Sequence, residues 1–298
     1  MNVGLIDVDN IDSKTRFPNL PLMKLSAYHK QLGNNAEWWN PFAHYDVVYK
    51  SKVFDFTPDI DTYIQADEIR EGGSGYGLEN GLPDEVEHIM PDYSLYPQFS
   101  QAYGFLTRGC PRNCGFCIVS EKEGAKSVKV AGLSEFWNGQ REIKLLDPNL
   151  LAAEEHEELL RQLADSGAWI DFTQGLDIRL LTEENAGLLM KLRIKQLHFA
   201  WDNPKQDLTE QFKRFKEISG LDRRRLGVYV LTNYNSTHEE DLYRIYKLRE
   251  LGYWAYVMIY NKSSAPLRTR KLQRWVNNRM IFETTPRFED YYREANNG

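Results

Sequence analysis

Hydrophobic and polar positions along this chain alternate between two periods. Short runs rich in β-branched and aromatic residues read as strands: VGLIDV (Val3–Val8), YDVVYKSKVF (45–54), YGFLTR (103–108), REIKLLD (141–147), WIDFTQ (169–174), KQLHFAWD (195–202), LGVYVLTN (226–233) and YWAYVMIYN (253–261). Stretches with helical spacing lie between most of them: 22–33, 154–167, 182–192, 208–220 and 236–252. Gly33, Gly167, Gly220 and Gly252 stand where helices should stop, Thr182 where one should start, and Ser236 with Glu239 at capping-box spacing. From residue 102 to 261 the order is strand then helix, repeated over six strands, which predicts an α/β fold built as a partial (β/α)6 TIM-type barrel. A small Rossmann-like α/β domain is expected before it. Three prolines between Pro83 and Pro97 put the boundary near residue 95, giving domains at 1–95, 96–262 and a C-terminal extension at 263–298.

Composition narrows the function classes. Of 298 residues, 42% are apolar, 27% charged and 13% aromatic, which suits a folded globular protein rather than a disordered one. A net charge of -6 gives the whole molecule no bulk attraction to nucleic acid or anionic membranes. No apolar run approaches a membrane span, and MNVGLIDVDNID lacks the basic start of a signal peptide, so a cytoplasmic protein with no membrane partner is expected.

The polar candidates fall at strand ends, where barrels of this type carry their chemistry. All three cysteines lie in RGCPRNCGFC, as Cys110-x3-Cys114-x2-Cys117, directly after a strand. Thiolates at that spacing suit a soft metal, zinc or iron–sulfur. Four protein ligands would close such a site, whereas three leave one metal position open. A passive zinc or redox loop is the alternative reading. Asp147, Gln174, Asp202 and Asn233 occupy further strand ends.

The C-x3-C-x2-C loop after the first barrel strand, with Phe116 before its third cysteine, resembles the radical S-adenosylmethionine superfamily. The resemblance covers roughly residues 100–260. It implies that Cys110, Cys114 and Cys117 hold a 4Fe–4S cluster whose fourth iron binds the amino and carboxylate groups of S-adenosylmethionine. It further implies one-electron cleavage to a 5′-deoxyadenosyl radical, hydrogen abstraction from an unknown substrate, and an electron donor such as flavodoxin or ferredoxin. Residue by residue, Asp147 and Asn149 match the loop that meets the methionine amino group, although the common Gly-Gly-Glu version is absent. Gln174, Asp177 and Arg179 match the ribose and carboxylate contacts, and Asp202 and Asn233 complete a polar rim. YVMIY matches the strand that runs along the adenine. The plain structural alternatives are a turn or helix cap for Asp147, a surface ion pair for Asp177 and Arg179, and a core histidine for His198.

FPNLPLMKLSAYHKQLG resembles the first helix of cobalamin-binding-type domains that precede some radical enzymes. The Asp-x-His-x-x-Gly loop is missing, which argues against bound cobalamin and for a degenerate domain that shapes or covers the active site. A cobalamin-dependent radical methyltransferase is the alternative. The tail from Asn261 to Arg279 carries six basic residues and no acidic one, and with DRRR at 222–225 it would suit an RNA substrate. The same tail also reads as a helix packing Leu267, Leu272 and Trp275 against the barrel.

Overall fold

The computed structural model describes residues 1–11 and 17–297. It is a mixed α/β protein whose larger sheets are built on parallel strand pairs. The chain divides into two compact units: Met1–Gly104 with Ala131–Ile143, and Phe105–Val130 with Lys144–Gly298. Among the described residues no helix is long and apolar enough to cross a membrane.

The first unit opens with β1 (Asn2–Asp7), α1 (Leu20–Gln31), β2 (Asn35–Trp38), β3 (Tyr45–Ser51), β4 (Ala66–Gly72), α2 (Asp84–Glu87) and β5 (Ala102–Gly104). The first four strands form a parallel sheet in the order β2-β1-β3-β4. Strand alternation explains its two cores. Val3 and Leu5 pack with Leu22, Met23 and Leu25, while Ile6 and Val8 pack with Tyr45 and Val48. Asn19 starts α1 by accepting the Leu22 N–H at 3.2 Å, and Gly33 leaves it at φ +75°. β2 and β4 were not legible as strands. β2 is only four residues long, and β4 is charged and largely exposed, as edge strands commonly are.

The chain continues through β6 (Thr107–Arg108), α3 (Val119–Glu123), β7 (Val128–Lys129), β8 (Glu142–Leu145), α4 (His156–Ser166), β9 (Trp169–Leu176), α5 (Glu183–Leu189) and β10 (Arg193–Ala200). It ends with α6 (Thr209–Ser219), β11 (Leu226–Thr232), α7 (His238–Glu250), β12 (Trp254–Ile259), α8 (Leu267–Asn277), α9 (Arg279–Thr284) and α10 (Phe288–Asn297). A six-stranded sheet runs β12-β11-β10-β9-β8-β5, with parallel register from β9 to β12. Its apolar face is formed by Ile170, Phe172, Leu197, Phe199, Val228, Val230 and Val257, all at most 2% exposed. Phe199 meets Phe212 and Phe215 of α6 edge-on, with ring centroids 5.9 and 5.1 Å apart.

Three local expectations are corrected. The single strand expected at 103–108 is broken: β5 joins the large sheet, whereas β6 turns away to pair antiparallel with β7. The physical reason is Asp147, whose carboxylate takes up the N–H groups of Leu106 and Thr107 and so keeps them from the ladder of the large sheet. The capping box of α7 is one residue later than expected, on Thr237 and Glu240. In the tail, Leu272 and Trp275 are fully buried, but Leu267 is 55% exposed. The tail also has a structural duty. Asn277 accepts the Val257 N–H at 2.8 Å and donates to the Val257 carbonyl at 3.0 Å, so its amide stands in for a further strand along β12. Several of the basic residues lie on aromatic rings, Arg223 and Arg279 over Trp254 and Arg225 over Trp169.

Candidate functional site

The cysteine loop is clamped at its neck. Gly109 takes φ +85°, and a Cβ there would overlap the Lys126 carbonyl oxygen, so glycine is required where the chain leaves β6. Cys110 donates its N–H to the Gly124 carbonyl at 3.1 Å, and Cys117 donates to Cys114 at 2.9 Å. Arg108 pairs with Glu123 at 3.2 Å and covers the Phe105 ring. The three thiols are free, two half-buried and Cys117 exposed.

Strand ends bring polar groups to this loop. Burial pushes the Cys114 thiol up, and the neighbouring Cys117, Asp202 and Cys110 charges add to that, while Arg179 opposes them. Asp202 and Arg179 therefore stand within electrostatic reach of Cys114, although they are far from it in sequence. Asn149 is buried, and its Nδ2 lies 3.6 Å from the Cys110 Sγ. Its Oδ1 is buried with no hydrogen-bond partner. Arg112, inside the loop, pairs with Asp177 after β9, and Arg179 grips the same carboxylate through Nε at 2.6 Å. Arg179 Nη1 also donates to Gln206 at 2.9 Å. Burial alone would raise the Asp177 carboxyl, but Arg179 and Arg112 outweigh it and hold it below the ordinary carboxylate range.

Asp202 accepts the Leu231 N–H at 3.0 Å, and burial pushes its carboxyl up to about 6. Arg244 braces this strand end. It is 1% exposed, donates to the carbonyls of Trp201, Asp202 and Leu231, and pairs with Asp241 at 2.5 Å. Asn233 takes φ +63° and donates to the Tyr260 carbonyl at 2.9 Å. Phe116 meets the Tyr234 ring edge-on at 5.4 Å, and Tyr234 meets Tyr260 at 4.9 Å.

The remaining candidates are placed differently. Asp147 is buried and already engaged, accepting from Thr107 N at 2.5 Å, Thr107 Oγ1 at 2.7 Å and Leu106 N at 3.1 Å. Burial still pushes its carboxyl up to about 6. Gln174 is exposed where β9 bulges against β10, a bulge that includes Gly175 at φ +103°. Sequence reasoning missed Arg112, Tyr234 and Arg244. Only Arg112 had a usable signal, a cation inside the cysteine motif.

Among the described residues, no three of His, Cys, Asp and Glu are gathered for a metal ion. The donor set is nonetheless soft and anionic once ionised, with an amide against one sulfur and a guanidinium nearby. No protein-family model matches the chain, and no curated protein matches it.

Proposed function

We propose that this chain is a radical S-adenosylmethionine enzyme, with its six-stranded sheet forming a partial (β/α)6 barrel around the site. The observation that carries the reading is the meeting of Cys110, Cys114 and Cys117 with Asn149, Arg179 and Asp202 at the ends of successive strands. The donor chemistry fits an iron–sulfur group: three free thiols, no fourth cysteine in the chain, and an orphaned Asn149 oxygen beside the first sulfur. Each thiolate of a cluster binds a different iron, so the three sulfurs need not converge on one point.

When bound, the cluster and S-adenosylmethionine would supply one-electron cleavage to a 5′-deoxyadenosyl radical. The chain's own residues have separate tasks. The three cysteines hold the cluster. Asn149 donates toward the Cys110 sulfur and stabilises its thiolate form. The Arg112–Asp177 pair ties the loop to the end of β9, and Arg179 stays oriented because Asp177 and Gln206 fix two of its nitrogens. Arg179 and Asp202 suit the carboxylate and ammonium of an amino acid moiety. Asp147 is a positioning residue that sets the direction in which the loop leaves the strand. Phe116 and Tyr234 place an aromatic pair beside the loop.

The test is anaerobic reconstitution with iron and sulfide. About four iron and four sulfide per chain are expected, with an electron-spin signal that changes on adding S-adenosylmethionine. One zinc without sulfide, or a signal indifferent to the cofactor, would overturn the reading.

A further inference from the structure

The six-stranded sheet has a second face unlike the first. From β8 to β12 it carries Lys144, Asp171, Thr173, His198, Tyr229 and Tyr256, alternating with the apolar residues that face the helices. Parallel sheets are ordinarily apolar on both faces because both are covered. This face instead presents a row of polar and aromatic side chains, and two of its polar atoms are orphaned. Asp171 Oδ1 and Thr173 Oγ1 are buried with no hydrogen-bond partner. Such atoms are costly to bury, so a face that keeps two of them side by side calls for a ligand that satisfies both.

The surrounding groups define that ligand. The other Asp171 oxygen pairs with Lys144 at 3.4 Å, so an ammonium and an unsatisfied acceptor stand next to each other. His198 places Nδ1 3.0 Å from the Phe172 carbonyl, which can only accept, so Nδ1 carries the hydrogen and Nε2 is an acceptor. Burial keeps the imidazole neutral by pushing its pKa down. Tyr229 lies flat on the imidazole, 8° from parallel with centroids 5.0 Å apart, and its hydroxyl is fixed on the Thr173 carbonyl at 2.7 Å. Gly227 makes room for the imidazole, since a Cβ there would come 2.6 Å from Cδ2 and 3.1 Å from Nε2. Tyr256, 47% exposed, offers an aromatic platform beside Tyr229. Lys144 disfavours a cationic ligand and Asp171 an anionic one. Neighbouring hydroxyl groups, each donating and accepting, match the row.

We infer that this face binds a neutral ring bearing vicinal hydroxyls, as in a free sugar or the ribose of a nucleoside, and that it is the substrate-recognition surface of the site proposed above. Asp171 and Lys144 would take the diol, Thr173 and His198 a further hydroxyl, and Tyr256 the C–H face of the ring. The inference rests on that functional reading only for the word substrate; the binding itself does not need the cluster.

The test uses the full-length chain, with and without reconstituted cluster, against ribose, glucose, uridine and 2′-deoxyuridine, followed by saturation-transfer NMR and titration calorimetry. A diol-bearing compound is expected to bind, with 2′-deoxyuridine at least about tenfold weaker than uridine if the nucleoside is the form recognised. Preference for ribose or glucose over uridine assigns the source to free sugar. Asp171→Asn and Thr173→Val should each weaken binding by about tenfold while melting curves report an intact fold. Thr173→Val, nearly isosteric, decides the matter if Asp171→Asn does not fold. Absence of binding by every diol at about 10 mM, well beyond millimolar affinity, or binding untouched by both variants, overturns the inference. Measuring 5′-deoxyadenosine formation in parallel separates the two proposals. Cofactor cleavage without diol binding sinks only this inference, and diol binding by a chain that takes no cluster sinks only the functional reading.

Discussion

Asp147 and Asp177 end up buried and Asp202 half-buried near strand ends, yet their environments push them in different directions. Asp177 has two guanidinium partners and sits below its ordinary range, whereas Asp147 and Asp202 lose more to burial than their hydrogen bonds return. For Asp202 this gives a pH signature. Its folded-state value of about 6 exceeds the unfolded value of about 3.9, so the folded state holds the proton more tightly. The contribution of Asp202 to stability is full below pH ~4 and is lost as pH rises through ~6. Asp202→Asn lacks that loss. Relative to the parent, the variant should therefore gain roughly 2–3 kcal/mol between pH 4 and 7, read from urea titrations of chain without cluster. A constant difference across that range would show that the Leu231 N–H, Arg244 and Arg179 already offset the burial of Asp202.

At the scale of elements, the cysteine loop was legible because its signal is local. Three like residues within eight positions, after a β-rich run, need no tertiary information. The helices of the second unit were legible through their spacing and glycine stops. What escaped were elements defined by partners far away. The break between β5 and β6 depends on Asp147, about forty residues on, and the protection of β12 depends on Asn277. Asn277→Ala should cost about 1–3 kcal/mol, because it leaves both backbone groups of Val257 without that amide. It should also expose a strand edge, so concentration-dependent self-association should appear in sedimentation velocity. A variant as stable and as monomeric as the parent would mean that Gln273, which also donates to the Val257 carbonyl, suffices to cover the edge.

For the whole molecule, fold and site are separable. The core is the apolar face of the six-stranded sheet against its helices together with the two apolar clusters of the smaller sheet, and the cysteines contribute little to it, being half-buried or exposed. Replacing Cys110, Cys114 and Cys117 together by Ala should leave the melting temperature of the cluster-free chain within about 3 °C, since such surface changes seldom exceed ~0.5 kcal/mol. Iron and sulfide bound after reconstitution should fall to background. Retained iron would place the metal ligands elsewhere.

By itself the sequence determined the α/β class, the strand–helix alternation of the second half, and the spacing of the cysteine motif, because periodicity, glycine stops and residue spacing act over a few residues. Tertiary structure decided the rest. It spent Asp147 on Leu106 and Thr107, joined Arg112 to Asp177, brought Arg179 and Asp202 to Cys114, and left Asp171 and Thr173 unsatisfied on one face of the sheet. Each of these depends on which strands lie side by side and on how deeply a charge is buried, and neither is encoded in the spacing of residues along the chain.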